Sequence, residues 1–276
     1  AVAKDFSAAG YTVYTFAENE PIIVRAENGY GIISPRTQAV VADFVYDSVQ
    51  EYVSGSVYCL QKGAYKYLYA DDKLSAQNEE VIPDSDIAYF IVKQNGLYGV
   101  LDRAGKVVVD CKYTTCLSHG YVMLLQSASL PECVVVVKDS SETGYSVQNY
   151  PANENAIVKT EDGYGIVDPR TQTILADFIY DSIHEYVHDS EYCLQKDGYK
   201  YLYVAGKLSI PYEDVILSPD EDYFIVRENG LYGAVDHAGE VLAQNIYASY
   251  LNRGPVLLLR TSESTDWYAM VKDPAS

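Results

Sequence analysis

Apolar positions along this chain come in short bursts. Runs such as Phe90-Ile91-Val92 and Val107-Val108-Val109 are each bounded, a few residues later, by a polar turn that carries glycine. Valine, isoleucine and tyrosine fill the runs, and these residues suit a pleated, half-buried surface. No stretch keeps a helical period over about ten residues. The pattern predicts an all-β chain.

The turns carry the sharpest local signal. Asn28-Gly29, Gly63-Ala64, Asn95-Gly96, Asp162-Gly163, Asp197-Gly198 and Asn229-Gly230 are pairs that supply the positive φ angles of two-residue hairpins. A second set, Arg103-Ala104-Gly105 and His237-Ala238-Gly239, places glycine at the left-handed position of a three-residue hairpin. Each unit therefore reads as a three-stranded antiparallel meander: apolar run, tight turn, Tyr98-Gly99-Val100-Leu101-Asp102, glycine turn, apolar run.

The chain is duplicated. A shift of 134 residues lays Tyr30–Val49 (YGIISPRTQAVVADFVYDSV) on Tyr164–Ile183 (YGIVDPRTQTILADFIYDSI) with 13 of 20 positions identical, and five of the seven differences exchange one aliphatic residue for another. Packed interiors tolerate volume-conserving swaps best, so those positions face a core. The offset holds without gaps for Tyr58–Leu74, Tyr89–Val108 and Val122. Within each half an aromatic follows a turn at Tyr30, Tyr65, Tyr98, Tyr164, Tyr199, Tyr232 and Tyr268, and Val134 holds the eighth place. The step across the half boundary is no longer than the others. This predicts one continuous array of about eight units over residues 11–276, with halves 11–144 and 145–276 and a tail at 1–10. A lone meander cannot bury both its faces, so neighbours must stack on it. A propeller-like ring and an open β-superhelix both fit. The segment Tyr11–Phe16 is placed to complete the last unit, which favours the ring.

The recurring phrase of turn, aromatic, glycine, two apolar residues, aspartate, glycine turn and apolar run resembles the bacterial WG-repeat family. Asn95–Val107 is the clearest copy and Asn229–Val241 the next, with signature positions Tyr30, Gly31, Tyr98, Gly99, Tyr164, Gly165, Tyr232 and Gly233. Weaker copies begin at Asn28 and Asp162 and run on to the steps Tyr46-Asp47 and Tyr180-Asp181. Tyrosine stands for the family's tryptophan throughout, and the motif glycine becomes Lys66, Lys200 and Ala269 beside Tyr65, Tyr199 and Tyr268. The resemblance implies a repeat module of bacterial, often exported, proteins, with binding as its role and no catalytic residues to carry over.

Charge narrows the partners. With 20 Lys and Arg against 39 Asp and Glu, the net charge of -19 repels phosphate backbones and anionic lipid, which argues against nucleic acid. No apolar run is long enough to span a membrane as a helix. The chain opens Ala1-Val2-Ala3-Lys4 without methionine, which points to residues removed upstream, by a cloning boundary or by processing of an export signal.

Candidate chemistry is sparse, and no cofactor is expected. The five cysteines Cys59, Cys111, Cys116, Cys133 and Cys193 lack a CxxC pair. Cys59 and Cys193 sit in apolar runs as small hydrophobes, while Cys111 and Cys116 are spaced so that a bridge is open to them. His184-Glu185-Tyr186-Val187-His188 matches the H-E-x-x-H zinc signature. That chemistry needs a helix to bring both imidazoles to one ion, whereas an extended chain holds them about 13 Å apart. The duplicate reads Gln50-Glu51-Tyr52-Val53-Ser54. A chance match is expected, with a metal-dependent hydrolase as the distant alternative. His119 and His237 read as exposed turn histidines. The acidic clusters Asp71-Asp72, Asp84 to Asp86 and Asp220-Glu221-Asp222 read as solvated loop tips, with a loose calcium site as the alternative.

Tyrosine is the unusual resource, at 28 residues. Those in the repeat phase read as structural. Tyr52, Tyr186, Tyr89 and Tyr223, outside that phase, are the candidates for a contact surface, since rigid rings give area at small entropic cost. The expected role is a non-catalytic scaffold that binds a protein at the bacterial cell surface or outside the cell. The alternative is carbohydrate or cell-wall binding.

Overall fold

The computed structural model describes residues 20–84, 87–120, 122–138, 145–218, 222–253 and 256–271, and all their regular structure is β-strand. The segment Tyr11–Phe16 lies outside the described residues. These residues fall into two compact units, the first drawn from Ala1–Ser129 and Ser141–Val147, the second from Leu130–Ser140 and Gln148–Ser276. No helix among the described residues is long and apolar enough to cross a membrane.

In the first unit, β1 (Ile22–Ala26), β2 (Gly29–Ile33) and β3 (Val40–Tyr46) form the predicted meander. A second sheet joins β4 (Ser48–Val53), β5 (Val57–Lys62), β6 (Tyr65–Ala70) and the stub β7 (Lys73–Leu74). The third runs β8 (Glu80–Pro83), β9 (Tyr89–Gln94), β10 (Leu97–Asp102) and β11 (Val107–Tyr113), and β12 (Thr115–His119) pairs with β13 (Val122–Gln126). Strand β14 (Glu132–Lys138) falls in the second unit, and β15 (Tyr145–Pro151) begins in the first and ends in the second.

The second unit repeats the pattern. It has β16 (Ala156–Lys159), β17 (Tyr164–Asp168) and β18 (Thr173–Tyr180), then β19 (Ser182–Val187), β20 (Glu191–Lys196), β21 (Tyr199–Val204) and β22 (Lys207–Leu208). Next come β23 (Asp214–Leu217), β24 (Phe224–Glu228), β25 (Leu231–Val235) and β26 (Val241–Tyr247), then β27 (Ser249–Arg253), β28 (Val256–Arg260) and β29 (Tyr268–Val271). Among the described residues five sheets hold a fourth strand beyond the predicted three. In two of them the added strand, β8 or β23, is a short stretch beside acidic loops, too brief to show alternation.

Both faces of the middle sheets are buried. In β5, Tyr58 and Leu60 pack with Ile32, Ala42 and Tyr46 of the preceding sheet, while Val57 and Cys59 pack with Val81, Phe90 and Val92 of the following one. The second unit repeats this with Tyr192 and Leu194 on one side and Cys193 on the other. Burial on both faces is why Val57-Tyr58-Cys59-Leu60 is continuously apolar rather than alternating. A fully buried ring such as Phe90 or Phe224 contributes roughly 1.5–3 kcal/mol relative to exposure.

The motif residues have separable physical tasks. Asn95 and Gly96 take φ 52° and 77°, the left-handed pair of the expected hairpin. Asn28-Gly29 and its duplicate Asp162-Gly163, whose glycines take φ 139° and 147°, depart from that expectation. Ala26 pairs with Gly29, so Glu27 and Asn28 make the turn and Gly29 begins the next strand at φ 139°. The motif aspartate shapes the second turn: Asp102 Oδ1 accepts from the N–H groups of Ala104 and Lys106, each at 2.9 Å. Asp236 does the same for Ala238 and Glu240 at 2.9 and 2.8 Å.

The motif glycine answers to the third strand. Between Tyr98 and Val100 the register with β11 shifts in a bulge that drives that strand against Gly99. A Cβ there would stand 2.6 Å from the Val109 carbonyl oxygen and 2.8 Å from the Cys111 nitrogen. Gly31, Gly165 and Gly233 meet the same obstruction from Ala42, Ala176 and Ala243 carbonyls at 2.7, 2.8 and 2.6 Å. Lys66 and Lys200 stand where the third strand is only the stubs β7 and β22, and Ala269 lies on the terminal strand of its sheet. On the third-strand side of Lys66 and Lys200 the backbone is paired only through isolated bridges to Asn78 and Tyr212, so the glycine is lost where no bulged third strand presses on it.

Carboxylates cap the hairpins. Asp47 Oδ2 accepts from Gly63 N at 2.6 Å, and its duplicate Asp181 accepts from Asp197 N at 2.9 Å. Glu79 and Glu213 do the same for Gly96 and Gly230 at 2.9 and 3.0 Å.

Replacing Gly99 by alanine is expected to destabilise the protein by roughly 1–3 kcal/mol, the range for forcing atoms into a packed site. Lys66→Ala, at the equivalent position without a full third strand, should stay within about 0.5 kcal/mol of the parent. Urea unfolding midpoints of the two variants check this, and equal losses would refute the assignment of the glycine to the bulge.

Candidate functional site

Two cavities lie where turns of three consecutive sheets converge. In the first unit a cleft of about 590 Å³ is bordered by Arg36 between β2 and β3, Gly55 and Ser56 before β5, Asp71 and Asp72 between β6 and β7, and Arg103 between β10 and β11. Adding 134 to these numbers gives most of a second cleft, of about 400 Å³, in the second unit, with Arg170, Asp189, Ser190, Ala205, Gly206 and His237 on its walls. The duplication thus reappears as two equivalent clefts with different chemistry.

In the first cleft Arg36 Nε lies 2.7 Å from Asp72 Oδ2, and its Nη2 lies 3.4 Å from Asp71 Oδ1. Tyr69 donates to Asp72 Oδ1 at 2.8 Å. Burial alone would raise the Asp72 carboxyl, but hydrogen bonds from Tyr69, Ser34 and Arg36 together hold it below the usual carboxylate range. In the second cleft Arg170 turns to other partners. Its Nε donates to Asp168 at 2.8 Å, one terminal nitrogen to Asp189 at 2.6 Å and the other to Asn155 at 2.7 Å. Burial again acts to raise Asp168, and the hydrogen bonds of Arg170 and Thr171 outweigh it and lower the carboxyl.

Glu191 is the sharpest difference between the copies. It is 8% exposed and stands where the first copy has the buried Val57. His237 Nδ1 lies 2.7 and 2.8 Å from its two carboxylate oxygens, placed to donate to them, and the imidazole meets the Phe224 ring edge-on at 5.2 Å. His237 is therefore not the exposed turn histidine expected, because its partner comes from the neighbouring sheet. A charged residue opening the apolar run Glu191-Tyr192-Cys193-Leu194, opposite valine in the duplicate, was the signal for this pair.

Of the tyrosines proposed as a contact surface, Tyr89 and Tyr223 are buried and Tyr52 and Tyr186 are half-buried. Tyr89 and Tyr223 are 2% and 5% exposed. Tyr52 donates to the Val81 carbonyl and Tyr186 to the Val215 carbonyl, both at 3.2 Å, and each ring packs on a phenylalanine, Phe90 at 5.7 Å and Phe224 at 5.6 Å. They tie one sheet to the next, so their spacing outside the repeat phase reflects contacts between sheets rather than solvent. Among the repeat-phase tyrosines, Tyr65, Tyr199 and Tyr268 are exposed, while Tyr30, Tyr98, Tyr164 and Tyr232 are half-buried. Four of these lie across the ladder from a second tyrosine: Tyr30–Tyr46, Tyr98–Tyr113, Tyr164–Tyr180 and Tyr232–Tyr247.

His184 and Glu185 lie on strand β19, where His184 pairs with Cys193 across the ladder and meets Tyr186 edge-on at 5.1 Å. His188 follows the strand, 3.4 Å from Glu185 and 3.7 Å from Glu154. Among the described residues no three His, Cys, Asp or Glu side chains gather as metal ligands would. All five cysteines are free, so Cys111 and Cys116 form no bridge. Two of the acidic clusters are more than loop tips. Asp72 holds Arg36, and Asp84, 6% exposed, accepts from Ala88 and Tyr89 N–H groups at 2.9 and 3.1 Å. Asp86, Asp220 and Glu221 lie outside the described residues.

These sheets and turn-end clefts define a tandem β-repeat protein. The family model described as WG containing repeat matches residues 98–118, the copy formed by β10 and β11 and the start of β12. Comparison with curated proteins returns no match. Similar solved structures include one titled as a eukaryotic initiation factor, 11% identical over 87% of this chain and 78% of that one, TM-score 0.27. Another is the dihydro-heme d1 dehydrogenase NirN, 9% identical over 88% and 68%, TM-score 0.27. A third is the WD40 domain of SCAP from fission yeast, 9% identical over 88% and 93%, TM-score 0.19. At such scores these likenesses transfer no function.

The lowered Asp168 carboxyl ties stability to pH. Its contribution is full above the ordinary value of 3.8 and is lost as the pH falls through its lower folded value. Asp168→Asn should therefore lower the melting temperature at pH 6 and flatten its decline between pH 4 and pH 2 on the scale of about one group's titration. An undiminished acid slope in the variant would count against the Asp168–Arg170 pair as its source.

Proposed function

We propose that the chain is a non-catalytic repeat scaffold that binds a partner protein, at the bacterial cell surface or outside the cell. The observation that carries the reading is the outermost strand of the third sheet in the second unit. There β26 leaves Val241, Leu242 and Ile246 at 62%, 47% and 50% exposure on a strand with a neighbour on one side only. Apolar side chains beside an unpaired backbone edge suit a protein surface or an added strand. The groups that catalysis would use are engaged elsewhere. Carboxylates cap hairpins or hold arginines, and His237 is committed to Glu191. Burial pushes the Cys116 thiol up to about 12 and the Cys133 thiol up to about 11, so neither is a nucleophile near neutral pH. The same protection makes free thiols compatible with an oxidising location.

Carbohydrate binding is the second reading, and one observation favours it. Trp267 is 42% exposed with the Arg260 guanidinium 4.8 Å from its ring, beside the exposed Tyr268.

Affinity capture from the source cells, with the full chain as bait, tests the first reading. A single dominant protein should be retained by the parent and lost with Val241→Glu/Ile246→Glu, whose circular dichroism and melting should match the parent. Retention by the variant would remove β26 from the reading. Glycan-array binding abolished by Trp267→Ala would put the second reading in its place.

A further inference from the structure

The duplication supplies an internal comparison for the clefts. In the second, the anion is built in: the Glu191 carboxylate projects into the cleft wall and is held by His237. In the first, the same two backbone positions carry Val57 and Arg103. Valine offers no anion. Arginine is an obligate cation with five donors and no acceptor. Among the described residues Arg103 makes no hydrogen bond and no ion pair, and it is only half-buried. The other arginine of this cleft, Arg36, is already neutralised by Asp71 and Asp72. The first cleft is also the larger, about 590 Å³ against about 400 Å³.

We infer that the cleft of the first unit binds a carboxylate-bearing ligand, whose carboxylate lies on Arg103 in the place that Glu191 takes in the second unit. The surroundings select a carboxylate over a dianionic phosphate. Asp71 and Asp72 line the same cleft, and the Glu20 carboxylate lies beside Gly55 on its wall, so a single added negative charge on one guanidinium is tolerated better than two. Pro21 on the same wall is half-buried and offers an apolar surface for the carbon skeleton behind the carboxylate. The ligand is either an acidic side chain of a partner or a small organic acid. The first source rests on the protein-binding reading above, and the second does not.

Titration of the full chain with propionate, glutarate, an acetylated and amidated di-glutamate peptide, and inorganic phosphate, followed by calorimetry and NMR, tests this. At least one carboxylate should bind saturably with one site per chain and a dissociation constant near or below about 1 mM, and phosphate should bind more weakly. Arg103→Ala, on an exposed turn, should weaken it about tenfold or more. Val57→Glu/Arg103→His should abolish it by supplying the second unit's own pair. The reverse exchange, Glu191→Val/His237→Arg, should raise the number of sites from one to two. Binding by the peptide alone assigns the carboxylate to a partner protein, and binding by the free acids assigns it to a small molecule. No saturable binding by any carboxylate, binding unchanged in Arg103→Ala, or phosphate binding as tightly as the acids would each overturn the inference. Loss of β26-dependent partner capture with intact acid binding would sink the protein-scaffold reading and leave this one standing.

Discussion

A sheet that is apolar on both faces cannot stop at itself. Each middle sheet of this protein presents one set of side chains backward and the alternate set forward, so it needs a neighbour on either side to keep both out of water. Tyr58 and Leu60 face the preceding sheet and Val57 and Cys59 the following one. Repetition is therefore a thermodynamic requirement rather than a decorative feature of the sequence. The seams between sheets are also where polar atoms need the most care. Tyr52 and Tyr186 resolve this by donating across a seam to a carbonyl of the next sheet while stacking on its phenylalanine.

The same constraint explains the repeat motif residue by residue. A bulged third strand presses on the glycine of the second, so the glycine persists only where that strand is complete. The aspartate at the end of the second strand folds the turn onto its side chain, and an acid preceding four of the hairpins caps the turn's free N–H. Part of the chain's acidity is thereby structural. A carboxylate accepting a backbone N–H is worth more than an exposed ion pair, because a charge-assisted bond forms without ordering a second long side chain.

Much of this was legible in the residues. Positive-φ pairs such as Asn95-Gly96 and the gap-free offset between halves carry local and repetitive information, which a linear text preserves. What was hidden depends on neighbours from other sheets. Tyr89 and Tyr223 read as surface residues because nothing local says that the next sheet covers them. His237 read as a lone turn histidine because its partner, Glu191, lies 46 residues earlier. Asn28-Gly29 and Asp162-Gly163 resemble the other hairpin pairs, yet the Tyr46 and Tyr180 backbones pack against their glycines and the turns differ. Strands β8 and β23 escaped notice because four residues beside acidic loops cannot display a period.

Comparing the two copies separates what the fold demands from what it permits. Tyr52 and Tyr186, Asp47 and Asp181, Glu79 and Glu213, and Gly99 and Gly233 are unchanged across the duplication, and each holds a seam, a cap or a bulge. Exchanges that alter charge occur along both copies, Lys106 for Glu240 and Lys112 for Ile246 among them, and those on the walls of the two clefts are Val57 for Glu191, Arg103 for His237, Asp71 and Asp72 for Ala205 and Gly206, and Gly55 for Asp189. Turns on a rigid scaffold are free to change because few packed contacts depend on them. At one equivalent pair of positions the exchange is complementary: the second copy closes an ion pair between Glu191 and His237, while the first, with Val57 and Arg103, keeps the cation and lacks the anion, so the same scaffold position is self-satisfied in one cleft and open to an added carboxylate in the other.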